Sequence, residues 1–171
     1  MAILHGWRFC PRCAGALDLA HAPARVECPS CGFVSYAGSS PCACAIVEDD
    51  AGRVLLARRA VEPYRGFWDT PGGYLEEREH PLDGLRRELL EETGLTVEPQ
   101  RFLGAFMDTY GGGPAANATL NLFWTARVVA GEPLAADDVC ELRWFAPDQL
   151  PAADELAFTL LPAVFDAWRT P

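Results

Sequence analysis

From residue 42 onward, short apolar runs alternate with polar, glycine- and proline-containing breaks, a pattern that predicts strands joined by turns. CACAIVE and GRVLLARR flank Glu48-Asp49-Asp50-Ala51-Gly52, a polar turn ending in glycine, which predicts a β-hairpin. Cys42 and Cys44 alternate with Ala43 and Ala45, so both cysteines share one strand face and read as small core residues, as does Cys140. RFLGAFMDTY and ATLNLFWTARVV are two further strand candidates, separated by GGGPAAN, whose glycines suit a mobile loop on the substrate side. CELRWFA, after GEPLAADD, is another strand.

Two stretches switch to helical spacing. Leu82, Leu85 and Leu89 fall at i, i+3 and i+7 and bury one side of a short helix. Pro81 suits its first position and Asp83 complements the dipole of its first turn, although His80 is a poor N-cap. Gly94 stands where a left-handed C-terminal glycine belongs, with Leu95 as the apolar closure. Near the end, Phe158, Leu161, Phe165 and Trp168 predict a second helix beginning near Thr159, with Pro162 tolerated in its first turn. Mixed strands with two separated helices and no internal repeat imply an α/β layered fold.

Charge and cysteine usage extend this picture at the other end of the chain. The 171 residues carry 24 acidic and 14 basic side chains, a formal charge of −10, which argues against a broad nucleic-acid footprint. An anionic substrate stays open, because metal ions invert a local field. Residues 28–47 are free of charge but contain two prolines, four serines and two glycines, so they are not a membrane span. MAILHGWRF has too short an apolar run for a secretory leader, and the expected compartment is the cytoplasm. Cys10-Pro-Arg-Cys13 and Cys28-Pro-Ser-Cys31 are two CxxC knuckles 14 residues apart, the donor set of a tetrahedral Zn²⁺ site. The weakly apolar segment between them is too small for its own core, and bound metal would supply the missing folding energy. These features predict a zinc ribbon over 1–38, a main domain over 39–171, and residues 33–40 as the connector. A structural brace or homodimer contact is the expected role of the ribbon, with Arg8, Arg12 and Arg25 as solvated surface.

The chemistry concentrates between Gly73 and Leu95. Pro71-Gly72-Gly73 reads as a tight loop feeding the first helix, on which Glu92 lies about 40° from Glu88 and Glu91 about 60° to the other side. Like charges so spaced destabilise a helix by roughly 0.2–0.5 kcal/mol per pair, so the cluster implies a cation to offset it. Arg87 points about 100° away from Glu88. Arg58 and Arg59, at the end of a strand beside the next loop, are divided between steering a phosphate and simple solvation.

The spacing Gly73, five residues, Glu79, seven residues, then Arg87-Glu88-Leu89-Leu90-Glu91-Glu92-Thr93-Gly94-Leu95 resembles the Nudix box at every defined position. Trp68 to Pro71, Arg143-Trp144-Phe145 and Leu156-Ala157-Phe158 extend the resemblance over residues 41–171. It implies a Nudix α/β/α sandwich with a mixed sheet, preceded by the zinc ribbon. With the ribbon included, the chain is similar to the NADH pyrophosphatases and closer to compact members acting on ADP-ribose or FAD. It lacks the SQPWPFPxS-like array of the NADH enzymes.

A diphosphate bridge resists attack because its anionic oxygens repel a nucleophile, and Mg²⁺ or Mn²⁺ held by hard carboxylate oxygens removes that obstacle. Glu88, Glu91 and Glu92 are the expected ligands, and the resemblance adds the Gly72 carbonyl and an Arg87–Glu79 pair that organises the loop against the helix. The resemblance also implies a further carboxylate outside the box as base or ligand, and matching the segment before Arg143-Trp144-Phe145 to the NADH pyrophosphatase pattern points to Asp138, with Glu141 and Asp137 as competitors. Phe67, Trp68, Phe106, Tyr110, Phe123 and Trp124 include any ring that stacks on adenine or flavin, though strand alternation buries about half of such rings anyway. The expected activity is hydrolysis of a nucleoside diphosphate linked to another moiety, yielding two monophosphates. A non-catalytic nucleotide sensor and an RNA cap-removing hydrolase are the alternatives.

Overall fold

The computed structural model describes residues 4, 6–112 and 116–170. Two compact units partition the chain: Met1–Ser40 with Thr109–Ala118, and Pro41–Asp108 with Thr119–Pro171. Gly113 to Ala115, within the predicted mobile loop, lie outside the described residues.

In the first unit, strands β1 (Arg25–Glu27) and β2 (Val34–Tyr36) pair antiparallel, Arg25 opposite Tyr36 and Glu27 opposite Val34. Part of the expected connector is therefore a strand of the ribbon. Three residues are too few to show a period of two, so VSY gave no strand signal. The two knuckles repeat one backbone design. Cys10 donates its N–H to the Gly15 carbonyl and accepts from Ala14, while Cys28 donates to Phe33 and accepts from Gly32. Ala14 and Gly32 hold the same left-handed position, at φ 59° and 71°. Leu4, Leu17 and Val26 pack with Cys10 and Cys28 into a small core.

The second unit is built on a seven-stranded sheet. Strands β3 (Ser40–Glu48), β4 (Val54–Arg59), β5 (Trp68–Asp69), β7 (Thr96–Tyr110) and β8 (Asn117–Ala130) follow the order β5-β4-β3-β8-β7. β6 (Gly72–Tyr74) pairs with β3, and β9 (Val139–Phe145) with β4. The predicted hairpin is present, with Val47 opposite Leu55 and Asp49 closing the turn through the Ala51 and Arg53 amides. A parallel bridge joins Trp68 to Leu156, and the Ala157 amide donates to the Trp68 carbonyl at 2.8 Å.

Alternation along β3 and β4 separates two cores. Ala43, Ala45, Val47 and Leu55 meet Leu85 and Leu89 of helix α1 (Pro81–Thr93) on one face. Cys42, Cys44, Ile46, Val54 and Leu56 meet Leu161, Val164 and Phe165 of helix α2 (Leu161–Arg169) on the other. The result is an α/β/α sandwich. Of the six candidate stacking rings, Phe123 and Trp68 are buried in the α2-side core and Phe106 packs against it.

Two local expectations are corrected. Gly72-Gly73 is strand rather than tight loop: Gly72 lies opposite Cys44 and Gly73 opposite Ala43. Gly72 adopts φ 139°, and a Cβ there would overlap the Ala43 carbonyl oxygen, so close backbone approach demands the glycine. Cys140 is exposed, not core. The β4–β9 register shifts between Arg58 and Arg59, pairing them with Glu141 and Val139. Cys140 is the extra residue of that bulge, which turns it outward.

Candidate metal-dependent hydrolytic site

Helix α1 starts and stops where its sequence predicts. His80 caps it by accepting the Leu82 N–H on Nδ1 at 3.3 Å, and Gly94, at φ 69°, closes it by donating to the Leu90 carbonyl. Burial of Leu85 and Leu89 against the sheet aims Glu88 and Glu92 at β6. Glu92 accepts the Gly72 N–H at 2.9 Å. A Cβ on Gly73 would come within 2.6 Å of Glu88 Oε2, so the Glu88 carboxylate lies directly against the glycine backbone. β6 thus forms the floor beneath two glutamates.

Arg87 organises the charge around that floor. Its Nε and Nη2 donate to both oxygens of Glu79 at 2.8 Å, Nη2 to the Tyr74 carbonyl at 3.1 Å, and Nη1 to Glu88 at 2.7 Å and Glu91 at 3.1 Å. It therefore turns back over the carboxylate face, contrary to the 100° offset of its Cα, because a long guanidinium side chain spans a turn of helix. Glu79 also accepts the Glu76 N–H, and hydrogen bonds from Arg87 foremost hold its carboxyl down at about 2. Arg87 is correspondingly shifted up, chiefly by Glu79. Glu88 and Glu92 are both shifted upward by burial, Glu92 strongly and in spite of the Gly72 amide, with Asp138, Asp69 and Glu88 adding repulsion. Such a set of crowded hard oxygen donors is stabilised in its ionised form by a divalent cation, and their chemistry fits Mg²⁺ or Mn²⁺.

Strand parity sorts the outlying carboxylates. Asp69 and Arg59 take the parity of Leu55, which packs toward α1, whereas Arg58, Trp68, Glu141 and Arg143 take that of Leu56, toward α2. Asp138 reaches the α1 side and pairs with Arg59 at 3.5 Å. Glu141 does not join it. Against the opposing effect of burial, Arg143 and Arg58 hold its carboxyl below the ordinary value, and its oxygens are taken by those two arginines. Asp137 is exposed, in a left-handed conformation at φ 53°.

Sequence reasoning missed Asp69. Burial pushes its carboxyl up to about 7 although Arg59, 3.7 Å away, and the Thr70 amide oppose this. The available signal was its parity: beside a buried Trp68 it had to face the other side of the sheet, where the helix carboxylates lie. Arg59, which was divided between phosphate steering and solvation, is buried against Asp69 and Asp138. Trp68 instead packs edge-on against Phe145 at 5.0 Å and under the Arg143 guanidinium at 5.0 Å, and with its bridge to Leu156 it joins the three outlying resemblance segments.

In the first unit, the four Sγ atoms of Cys10, Cys13, Cys28 and Cys31 lie within 4.8 Å of one another, with Cys10–Cys31 at 3.6 Å and Cys13–Cys28 at 3.5 Å. A disulfide needs about 2.05 Å, while the edge of a tetrahedron with Zn–S near 2.3 Å is about 3.8 Å. The cluster fits zinc.

A NUDIX domain profile matches residues 38–164. The chain is 29% identical over 146 residues to NAD-capped RNA hydrolase NudC of Stutzerimonas stutzeri, covering 85% of this chain and 50% of that protein. It is 32% identical over 113 residues to an ADP-ribose pyrophosphatase of Methanocaldococcus jannaschii, covering 66% of this chain and 63% of that one. A NUDIX hydrolase from Nitrosomonas europaea superposes with a TM-score of 0.75 at 26% identity, covering 95% of this chain and 89% of the other. The chain belongs to the Nudix hydrolase family. It spans about half the length of NudC and under two-thirds of the ADP-ribose pyrophosphatase. Among the described residues, no helix is long and apolar enough to cross a membrane.

Proposed function

We propose that the second unit hydrolyses a nucleoside diphosphate linked to another moiety, with ADP-ribose or FAD ahead of NADH, and that the first holds a structural Zn²⁺. The observation that carries this reading is the seating of Glu88 and Glu92 on the Gly72–Gly73 strand, with Arg87 bridging Glu79, Glu88 and Glu91. Glu88, Glu91, Glu92 and the Gly72 carbonyl would hold Mg²⁺ or Mn²⁺. That ion, when bound, supplies charge neutralisation of the diphosphate and acidification of water. Asp138, on the same side of the sheet and close enough for its charge to act on Glu92, accepts the proton of the attacking water. A P–O bond forms to water oxygen, the bridging P–O bond breaks, and the departing phosphate carries the charge away. Arg87 keeps Glu79 and the Glu76–Glu79 loop in place, and Glu91, which it also contacts, would be among the residues that hold the ion.

The named ADP-ribose pyrophosphatase supports this substrate class, and the NudC likeness keeps NADH and NAD-capped RNA on the test panel. The formal charge of −10 weighs against extended RNA contact but not against a cap end bound in the site. Purified protein with Mg²⁺ is incubated with ADP-ribose, FAD, NADH, NAD-capped RNA and nucleoside triphosphates in H₂¹⁸O, and products are resolved by mass. Turnover of a linked diphosphate to two monophosphates, abolished by Glu91→Gln, is the expected result. Tight binding with no turnover of any diphosphate would instead indicate a nucleotide sensor.

A further inference from the structure

Arg59 ends β4 as a buried cation, 8% exposed. Its Nε donates to the Pro63 carbonyl at 3.0 Å, Nη1 stands 3.7 Å from Asp69 and Nη2 3.5 Å from Asp138. One guanidinium thus joins carboxylates brought from β5 and from the β8–β9 loop. That loop is stitched to its surroundings at successive points. The Leu134 and Ala136 amides donate to the Thr93 and Glu92 carbonyls at 2.9 and 3.1 Å, and the Asp138 backbone carbonyl accepts the Ala60 N–H at 2.6 Å. The left-handed turn at Asp137 then aims the Asp138 side chain at Arg59.

The distances matter. At 3.5 and 3.7 Å both carboxylates are within ion-pair reach of the one guanidinium, so Arg59 offsets the charge of both at once. A cation whose task was to bind substrate phosphate would be presented to solvent; this one is enclosed and turned toward protein carboxylates. A purely structural ion pair, conversely, would have no reason to sit where both its partners press on Glu92.

We infer that Arg59 is a positioning residue for the hydrolytic reaction, holding the Asp138 carboxylate and its loop in register with the α1 glutamates. The inference rests on the reading of Asp138 as the proton acceptor given above. Its prediction is a coupling. Arg59→Met lowers kcat about 10–100-fold, as is usual for partners that orient a metal site's ligands, with KM changed less than about threefold. In an Asp138→Asn background the same substitution adds no further loss. Arg59→Lys, which keeps the charge but not the fork, restores part of the activity.

A second arm needs neither metal nor turnover. Amide hydrogen exchange, followed residue by residue by NMR without added Mg²⁺, should accelerate at Ala60 and Ala136 by about tenfold or more in Arg59→Met. If that variant does not fold, Arg59→Lys is measured in both arms, with smaller changes in the same direction. A raised KM with unchanged kcat, full multiplicativity with Asp138→Asn, no loss on Asp138→Asn alone, or unchanged exchange at Ala60 and Ala136 overturns the inference. Retained turnover in Glu91→Gln would strike the reaction mechanism itself, and the exchange arm would still decide what Arg59 holds.

Discussion

Replacing Gly73 by alanine separates the chemistry of the site from its stability. Gly73 does not use a left-handed backbone, so alanine there carries no conformational strain. Its Cβ would lie 2.6 Å from both Cδ and Oε2 of Glu88. Ordinary contact begins at 3.4 Å, so the carboxylate must retreat by about 0.8 Å. Because the obstacle is the end of a flexible side chain, the fold accommodates it, and loss of glycine's freedom in the unfolded chain offsets some of the cost. Stability should change by no more than about 1 kcal/mol. A displacement near 1 Å at a reacting centre costs about 100-fold in rate, so kcat should fall between about 10- and 100-fold. Product formation by chromatography under saturating Mg²⁺ and substrate reads kcat, and thermal unfolding reads stability. Gly72→Ala is the contrast: its Cβ meets the fixed Ala43 carbonyl at φ 139°, so it should lose stability by about 1–3 kcal/mol as well as activity. Unchanged kcat in folded Gly73→Ala would refute the claim that Glu88 works where the structure places it.

Three further outcomes follow from the same geometry. Arg87→Lys cannot make the two-pronged contact with Glu79, and kcat should fall by about 10–100-fold while thermal stability moves little. Asp69 has its folded pKa raised to about 7, so its ionised form is penalised in the folded state. Its contribution to stability is therefore neutral below about pH 4, grows unfavourable between about pH 4 and 7, and stays at that full penalty above 7. Asp69→Asn should raise the unfolding midpoint at pH 8 and leave it unchanged at pH 4, without added Mg²⁺. Finally, Cys28→Ser should abolish a single equivalent of bound zinc, read by elemental analysis, and expose the ribbon to proteolysis while helix α1 keeps its hydrogen-exchange protection.

Much of the candidate site was legible because its determinants are local. The ends of α1 depend on residues within one turn of them: Pro81, Asp83 and Gly94. Glu88, Glu91 and Glu92 share a region because helical geometry allows nothing else. The two CxxC knuckles need only four residues each to aim a pair of thiolates. Even the division of Cys42 and Cys44 from Ala43 and Ala45 was written in a period of two.

Tertiary structure decided whatever required two distant segments to meet. Nothing local in Pro71-Gly72-Gly73 says that it pairs with β3, and only that pairing explains why both glycines lack side chains. A one-residue bulge opposite Arg58 and Arg59 exposed Cys140 and placed Glu141 among arginines on the far face, leaving Asp138 beside Glu92. Asp69 and Arg59 gained their surroundings in the same way. Parity along a strand is a sequence property; which strand lies next to it, and in what register, is settled by packing. That is why the carboxylates of the helix could be named in advance, while Asp69 and the burial of Arg59 beside it could not.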